Sequence, residues 1–212
     1  MALNPAREPV VLTLNTPADQ TMRAVFLDKD GTLIEDIPFN VDPCRIRLTP
    51  NAGAGLRMLR DAGFAFIVVS NQAGVAHGKF TEEKLVPVAR QLAALLADEG
   101  ISLLDFYYCP HAPDGSQAAY AGDCTCRKPL PGMLHRAADE HGIDLARSWM
   151  VGDILNDIEA GRRAGCRTVL IDNGNETEWQ RGPLREPDAV AVDLLEAAQT
   201  IAHLSGTEAA VG

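Results

Sequence analysis

The chain has 212 residues, 46% of them hydrophobic and 23% charged, which places it among soluble globular proteins long enough to bury one substantial core. Its formal net charge of −10 argues against nonspecific binding to nucleic acid or to an acidic membrane surface. No stretch reaches the roughly 20 apolar residues of a membrane span, and no basic segment leads into an apolar run at the N-terminus, so the expected location is cytoplasmic.

Residues 1–21 hold three prolines and no sustained period, and are read as an N-terminal extension. Residues 22–205 are read as one domain, and residues 206–212 as a C-terminal tail. Ala24-Val25-Phe26-Leu27 is a continuous apolar run that predicts a buried parallel strand, ending in Asp28-Lys29-Asp30-Gly31-Thr32. Strand alternation would send Asp28 and Asp30 to the same side. Leu33 to Thr49, with Pro38, Pro43 and Cys44, is irregular, and a long loop of this kind is usually functional. Pro50 to Ala62 predicts a helix with Leu56, Met58 and Leu59 facing inward and Gly63 stopping it. Phe64 to Val69 predicts a second buried strand, which runs out at Ser70-Asn71-Gln72.

Thr81 is placed to cap a helix reaching about Glu99, with Glu82 and Glu83 at its positive end and Pro87 as a kink in its second turn. Ile101 to Cys109 is a third strand, and Pro110 to Arg127 a polar loop. Pro131 to His141 is helical. Trp149 to Asp153 is a short strand, with Trp149 expected in the core. A helix from Leu155 to Ala164 stops at Gly165. Strands follow at Arg167 to Ile171 and Ala189 to Val192, then a helix from Leu194 to Leu204. Cys44 and Cys166 are expected as small apolar fillers. Strands alternating with helices give the fold class: α/β, a doubly wound Rossmann-like parallel sheet with helices on both faces.

Several strand ends bring polar groups to one edge, where open α/β sheets place their sites. The first carries Asp28 and Asp30, the second Ser70, Asn71 and Gln72, and the fourth Asp153, with Asp157 one helical turn later. Arg127 and Lys128 precede the Pro131 helix. Paired carboxylates suit a hard divalent cation. Hydroxyl, amide and lysine groups suit the oxygens of a phosphate.

These four segments, Asp28-Lys29-Asp30-Gly31-Thr32, Ser70-Asn71-Gln72, Arg127-Lys128-Pro129 and Gly152-Asp153 through Asp157, resemble the four motifs of the haloacid dehalogenase superfamily of phosphohydrolases. The resemblance implies Mg²⁺-dependent phosphomonoester hydrolysis. Asp28 would be the nucleophile and form an aspartyl-phosphate. Asp30 would be the general acid and then the base. Ser70 and Lys128 would hold the phosphoryl group, with Asn71 and Gln72 as substrate-binding neighbours. Mg²⁺ would bind Asp28, the backbone carbonyl of Asp30, and Asp153, with Asp157 supporting them.

Cys109-Pro110-His111 and Cys124-Thr125-Cys126 are separated by twelve residues and offer three thiols and one imidazole, a donor set that fits a structural Zn²⁺ in a loop spanning 109–126. A disulfide or unrelated free thiols are the alternatives, although adjacent Cys-x-Cys thiols are strained as a pair. Tyr107 to His111 and Cys124 to Pro129, with Gly74 and Gly78-Lys79-Phe80, resemble the D-glycero-D-manno-heptose-1,7-bisphosphate 7-phosphatase group. Histidinol-phosphate phosphatases share the zinc loop. The group lacks a large cap domain. Its resemblance implies a sugar bisphosphate substrate and places Arg127 on the distal phosphate. The chain departs from the group at Glu35 to Asn40, at His77 and at Ile154. A monomer is expected, with no nucleic-acid or membrane partner.

Overall fold

A computed structural model describes residues 21–209. Apart from Thr21, the expected N-terminal extension lies outside the described residues, as do residues 210–212. Six strands form one sheet: β1 (Ala24–Leu27), β2 (Ala65–Asn71), β3 (Leu103–Cys109), β4 (Trp149–Gly152), β5 (Arg167–Ile171) and β6 (Ala189–Ala191). Every neighbouring pair is parallel, in the order β3-β2-β1-β4-β5-β6. The α-helices are α1 (Ala52–Asp61), α2 (Leu85–Asp98), α3 (Gly132–His141), α4 (Leu155–Ala164) and α5 (Leu194–Ala209).

The central strand β1 is buried along its whole length, and its alternation divides the core. Val25 and Leu27 join Leu56, Leu59, Leu92, Trp149 and Ile201 on the face covered by α1, α2 and α5. Ala24 and Phe26 join Ile67, Met133, Leu134 and Met150 on the face covered by α3 and α4. The order of strands reverses at β1, between β2 on one side and β4 on the other. The carboxyl ends of these three strands therefore share one crevice, the place this topology reserves for ligands.

Local differences from the sequence expectations have identifiable causes. Met58 is 37% exposed, because the buried stripe of α1 runs Ala52, Gly55, Leu56 and Leu59 at helical spacing and passes it by. A 3₁₀ turn at Glu82–Lys84 precedes α2, so Thr81 makes no side-chain cap and Pro87 falls in the first α-helical turn rather than the second. There its missing N–H has no partner to lose. Helix α5 continues to Ala209, so the segment expected as a tail from residue 206 begins as helix. Cys44 is exposed and fills no core, whereas Cys166 is buried. Trp149 is 1% exposed, in the core as expected.

Helices α1 and α5 approach closely at Gly55, where a Cβ would stand 2.4 Å from the Leu194 carbonyl oxygen. Gly55→Ala is expected to cost about 1–3 kcal/mol in urea denaturation, whereas Met58→Ala on the same helix should stay within about 0.5 kcal/mol. Equal effects from the two would show that the contact at Gly55 is not tight.

Candidate active site

Asp28 follows β1 directly, and its backbone N–H donates to the Val151 carbonyl of β4 at 2.9 Å. That bond fixes the residue between two strand ends. Its carboxylate groups with those of Asp153 and Asp157, one oxygen from each lying within 4.8 Å of the others, and all three residues are buried. Gly152 makes room for Asp157, since a Cβ there would sit 2.2 Å from the Asp157 Cβ. Gly31, at φ +82°, does the same for Asp153, whose Oδ2 would lie 2.1 Å from an added Cβ.

One cation enters this cluster. Lys128 is 2% exposed, and its Nζ donates to Asp28 Oδ1 and, at 2.9 Å, to the Val69 carbonyl oxygen. It also meets Asp157 Oδ1 at 2.7 Å in an ion pair, and among the described residues that oxygen has no hydrogen-bond partner besides. Asn71 holds the lysine's backbone from both sides: its Nδ2 donates to the Lys128 carbonyl oxygen and its Oδ1 accepts from the Lys128 N–H, each at 3.0 Å. The Lys128–Pro129 peptide is cis.

Asp30 lies apart from the acid cluster. Strand β1 ends at Leu27, so Asp30 belongs to the turn rather than to strand alternation with Asp28. Its Oδ1 pairs with Lys29 Nζ at 2.7 Å, and its Oδ2 accepts from Gln72 Nε2 at 3.2 Å. Gln72 Nε2 also donates to Ser70 Oγ at 2.8 Å, so Ser70, Gln72 and Asp30 form one chain. A cavity of about 140 Å³ lies against Lys29, Asp30, Phe39, Asn40, Asn71 and Gln72. The irregular loop after the first motif thus reaches the site through Phe39 and Asn40. Arg127 turns toward the cysteine loop, donating from Nη1 to the His111 carbonyl at 3.2 Å.

Two contacts were not anticipated from the sequence. Asn175 Nδ2 donates to Asp153 Oδ2 at 2.7 Å, and Asn173 Nδ2 to the Gly31 carbonyl at 2.7 Å. Both lie just beyond the carboxyl end of β5, and the strand-end rule that found the other acids would have pointed to them. Thr32 Oγ1 lies 3.3 Å from Asp153 Oδ1.

Three buried carboxylates and one ammonium leave the cluster short of positive charge. Burial pushes the Asp28 carboxyl well up from its ordinary value; Lys128 opposes the shift, while Asp157 and Asp153 add to it. Burial and then Asp157 push Asp153 up to about 6. Burial works against the Lys128 charge, but Asp157 and Asp28 outweigh it and hold the ammonium above its ordinary value. Converging hard oxygen donors with a deficit of cation fit a small divalent metal.

A second cluster stands one residue from Arg127. Cys109 ends β3, and its Sγ lies 3.5 Å from that of Cys124 and 3.0 Å from that of Cys126. The Nδ1 of His111 is 3.7 Å from Cys109 Sγ and 3.5 Å from Cys126 Sγ. These separations exceed the roughly 2.05 Å of a disulfide and approach the ~3.8 Å edge of a tetrahedron with ~2.3 Å arms. The four donors together could hold a metal ion. Gly132 packs against this loop, its N–H donating to the Thr125 carbonyl at 3.0 Å.

The Asp153 shift fixes the direction of a pH effect. A carboxyl whose folded pKa is raised keeps its proton better folded than unfolded, so stability falls as pH rises from about 3.8 toward about 6. Asp28 acts in the same direction. Chelated protein should lose about 2 kcal/mol from Asp153 across that window, and added Mg²⁺ should raise the melting temperature more at pH 7.5 than at pH 5. A Mg²⁺ effect equal at both values would contradict this electrostatic account.

The HAD-hydrolase-like family model matches residues 125–197. A D-glycero-beta-D-manno-heptose-1,7-bisphosphate 7-phosphatase of Yersinia pestis is 42% identical over 156 residues, covering 73% of this chain and 83% of that protein. The protein of the same description from Escherichia coli K12 is 38% identical over 181 residues, covering 81% of this chain and 95% of its own. A crystal structure of the D,D-heptose 1,7-bisphosphate phosphatase of B. bronchiseptica, complexed with magnesium and phosphate, aligns with a TM-score of 0.73 at 31% identity. The alignment covers 86% of this chain and 99% of that one. With the parallel sheet and the acid cluster at its switch point, these likenesses identify an enzyme: the chain belongs to the haloacid dehalogenase-like phosphatases, in the group that includes the heptose-bisphosphate phosphatases.

Proposed function

We propose that this phosphatase removes the 7-phosphate of a D-glycero-D-manno-heptose 1,7-bisphosphate, using Mg²⁺ at the acid cluster and Zn²⁺ at the Cys/His set, as a monomer in the cytoplasm. The observation that carries the hydrolytic reading is the buried contact of Lys128 with both Asp28 and Asp157 at the carboxyl edge of the sheet. The sugar reading rests on what the relatives are named for.

In this reading an Asp28 carboxylate oxygen attacks phosphorus, the bond to the sugar oxygen breaks, and an aspartyl-phosphate forms. Asp30 gives its proton to the departing oxygen and then takes one from the water that hydrolyses the acyl phosphate, regaining its starting state. Lys128 neutralises the non-bridging oxygens. Ser70, aligned by Gln72, donates to them. Asp157 supplies no chemistry of its own: fully buried, it holds the ammonium toward Asp28. The carboxylates of Asp28 and Asp153 and the backbone carbonyl of Asp30 would hold Mg²⁺, and Asn175 sets the direction of the Asp153 carboxylate. When bound, that cation offsets the charge crowded between the acids and a phosphate dianion. Phe39 and Asn40 line the cavity beside Asp30, where the sugar would rest, and Arg127, next to Lys128 in the chain, would take the distal phosphate.

Asp28→Asn should lower kcat by at least about a thousandfold, roughly 4 kcal/mol, with substrate binding retained. Wild-type turnover in that variant would remove the nucleophile assignment. Phosphate release from a panel of esters should favour sugar bisphosphates and require Mg²⁺. A clear preference for histidinol phosphate would replace the sugar reading and leave the hydrolytic one intact. Elemental analysis should find about one zinc per chain, lost in Cys124→Ser together with the order of the loop that carries Lys128. A zinc-free protein that folds and turns over normally would refute a structural metal.

A further inference from the structure

A cleft of about 480 Å³ separates β3, α3 and the cysteine loop, away from the acid cluster. Asp105 and Glu140 line it, His141 stands beside them, and none of the three has a part in the hydrolytic reading. Their ligand atoms lie within 4.8 Å of one another.

The arrangement is directional. Asp105 Oδ2 lies 3.1 Å from His141 Nε2, and Tyr107 Oη lies 3.2 Å from the same nitrogen. Tyr107 Oη in turn donates to Glu140 Oε2 at 2.5 Å. The other oxygen of each carboxylate is already occupied. Asp105 Oδ1 accepts from the Phe106 N–H at 2.7 Å, and Glu140 Oε1 accepts from Arg136 Nε at 2.8 Å. Each acid is thereby oriented by a donor outside the cluster; the remaining oxygen of Asp105 faces the imidazole, and that of Glu140 faces the Tyr107 hydroxyl beside it. Such outer hydrogen bonds are how proteins aim metal ligands. A single imidazole N–H must serve two oxygen neighbours, a place where a divalent ion would satisfy more lone pairs than a proton does.

We propose that Asp105, Glu140 and His141 form an exchangeable site for a divalent transition ion of the Zn²⁺ or Co²⁺ type. The ion binds the Nε2 lone pair, one carboxylate oxygen from each acid, and solvent, and the Tyr107 hydroxyl gives up its bond to Glu140 Oε2 and turns to water. The Nε2 proton leaves to solvent, and the neutral imidazole keeps its proton on Nδ1. Imidazole in the donor set selects against Mg²⁺ and Ca²⁺. Two ligands at about 2.0–2.1 Å from a tetrahedral ion stand about 3.4 Å apart, close to the separation seen between Asp105 and His141. Three protein ligands leave a position open to the cleft. Side-chain exposures of 43% for Asp105 and Glu140 make the ion readily exchanged, unlike one held by the four donors of the cysteine loop.

The test uses the full chain with its cysteine site loaded and millimolar Mg²⁺ present, so that the acid cluster is occupied. Titration with Zn²⁺ by calorimetry, and with Co²⁺ by visible absorption, should show one further equivalent per chain. His141→Ala and Glu140→Gln should each weaken it at least about tenfold, with phosphate release unchanged. The lack of a further equivalent would overturn the proposal. So would a further equivalent bound equally by wild type and both variants, since that ion would lie elsewhere. Glu140→Gln keeps its size at a half-exposed position, so it decides the question even if His141→Ala loosens the end of α3.

Discussion

A buried ammonium between two buried carboxylates organises this molecule. Lys128 can be taken from water only because Asp28 and Asp157 meet it there, and those acids can be ionised together only because it is present. Each partner comes from a different segment: Asp28 from the end of β1, Asp157 from the first turn of α4, Lys128 from the loop ahead of α3. The ion pairs thus lock three chain segments at the point where the strand order reverses. Removing one member would strand the charge of the others in a dry interior, so the site and the fold share a dependence.

The rest of the architecture serves that contact. The central strands β1 and β4 are buried along their whole length, and the ends of the sheet's strands deliver side chains to a fixed edge. Glycines at positions 31 and 152 let the acids approach the backbone more closely than any side chain would permit. A second tier of amides, Asn71, Gln72 and Asn175, holds the lysine, the serine and the outer acid in place. On the far side of Arg127, three sulfurs and an imidazole gather the loop that carries the lysine.

Much of this was legible in the residues because the fold is of a kind that writes itself strongly. Buried parallel strands read as unbroken apolar runs, as β1 and β2 did; β3, interrupted by Ser102 and Asp105, was marked by its place between helices instead. The acids at the strand ends were legible for the same reason, since charge at the end of such a run has few structural uses. Other features left no local mark. The strand-end rule marks the neighbourhood of Asn175, but its pairing with Asp153 follows from β5 ending beside β4, a fact of three-dimensional adjacency. Lys29 is 1% exposed, against the habit of lysine, because Asp30 lies next to it. The grouping of Asp105 with His141 joins residues 36 apart in the chain, on a strand and at a helix end, with no spacing to announce it. Met58 and Pro87 were misjudged through the phase and start of their helices, where a shift of one or two positions changes which face or turn a residue occupies.

The clamp by Asn71 separates two tasks that a loop would ordinarily perform together. A side-chain amide supplies both backbone bonds at Lys128, and the sulfur cluster anchors Cys109, Cys124 and Cys126. Neither anchor relies on residues 113–119 between them. That stretch is tied down elsewhere, by the Gln117 N–H on the Ala76 carbonyl at 2.8 Å, so a change in its side chains would leave the ammonium in register.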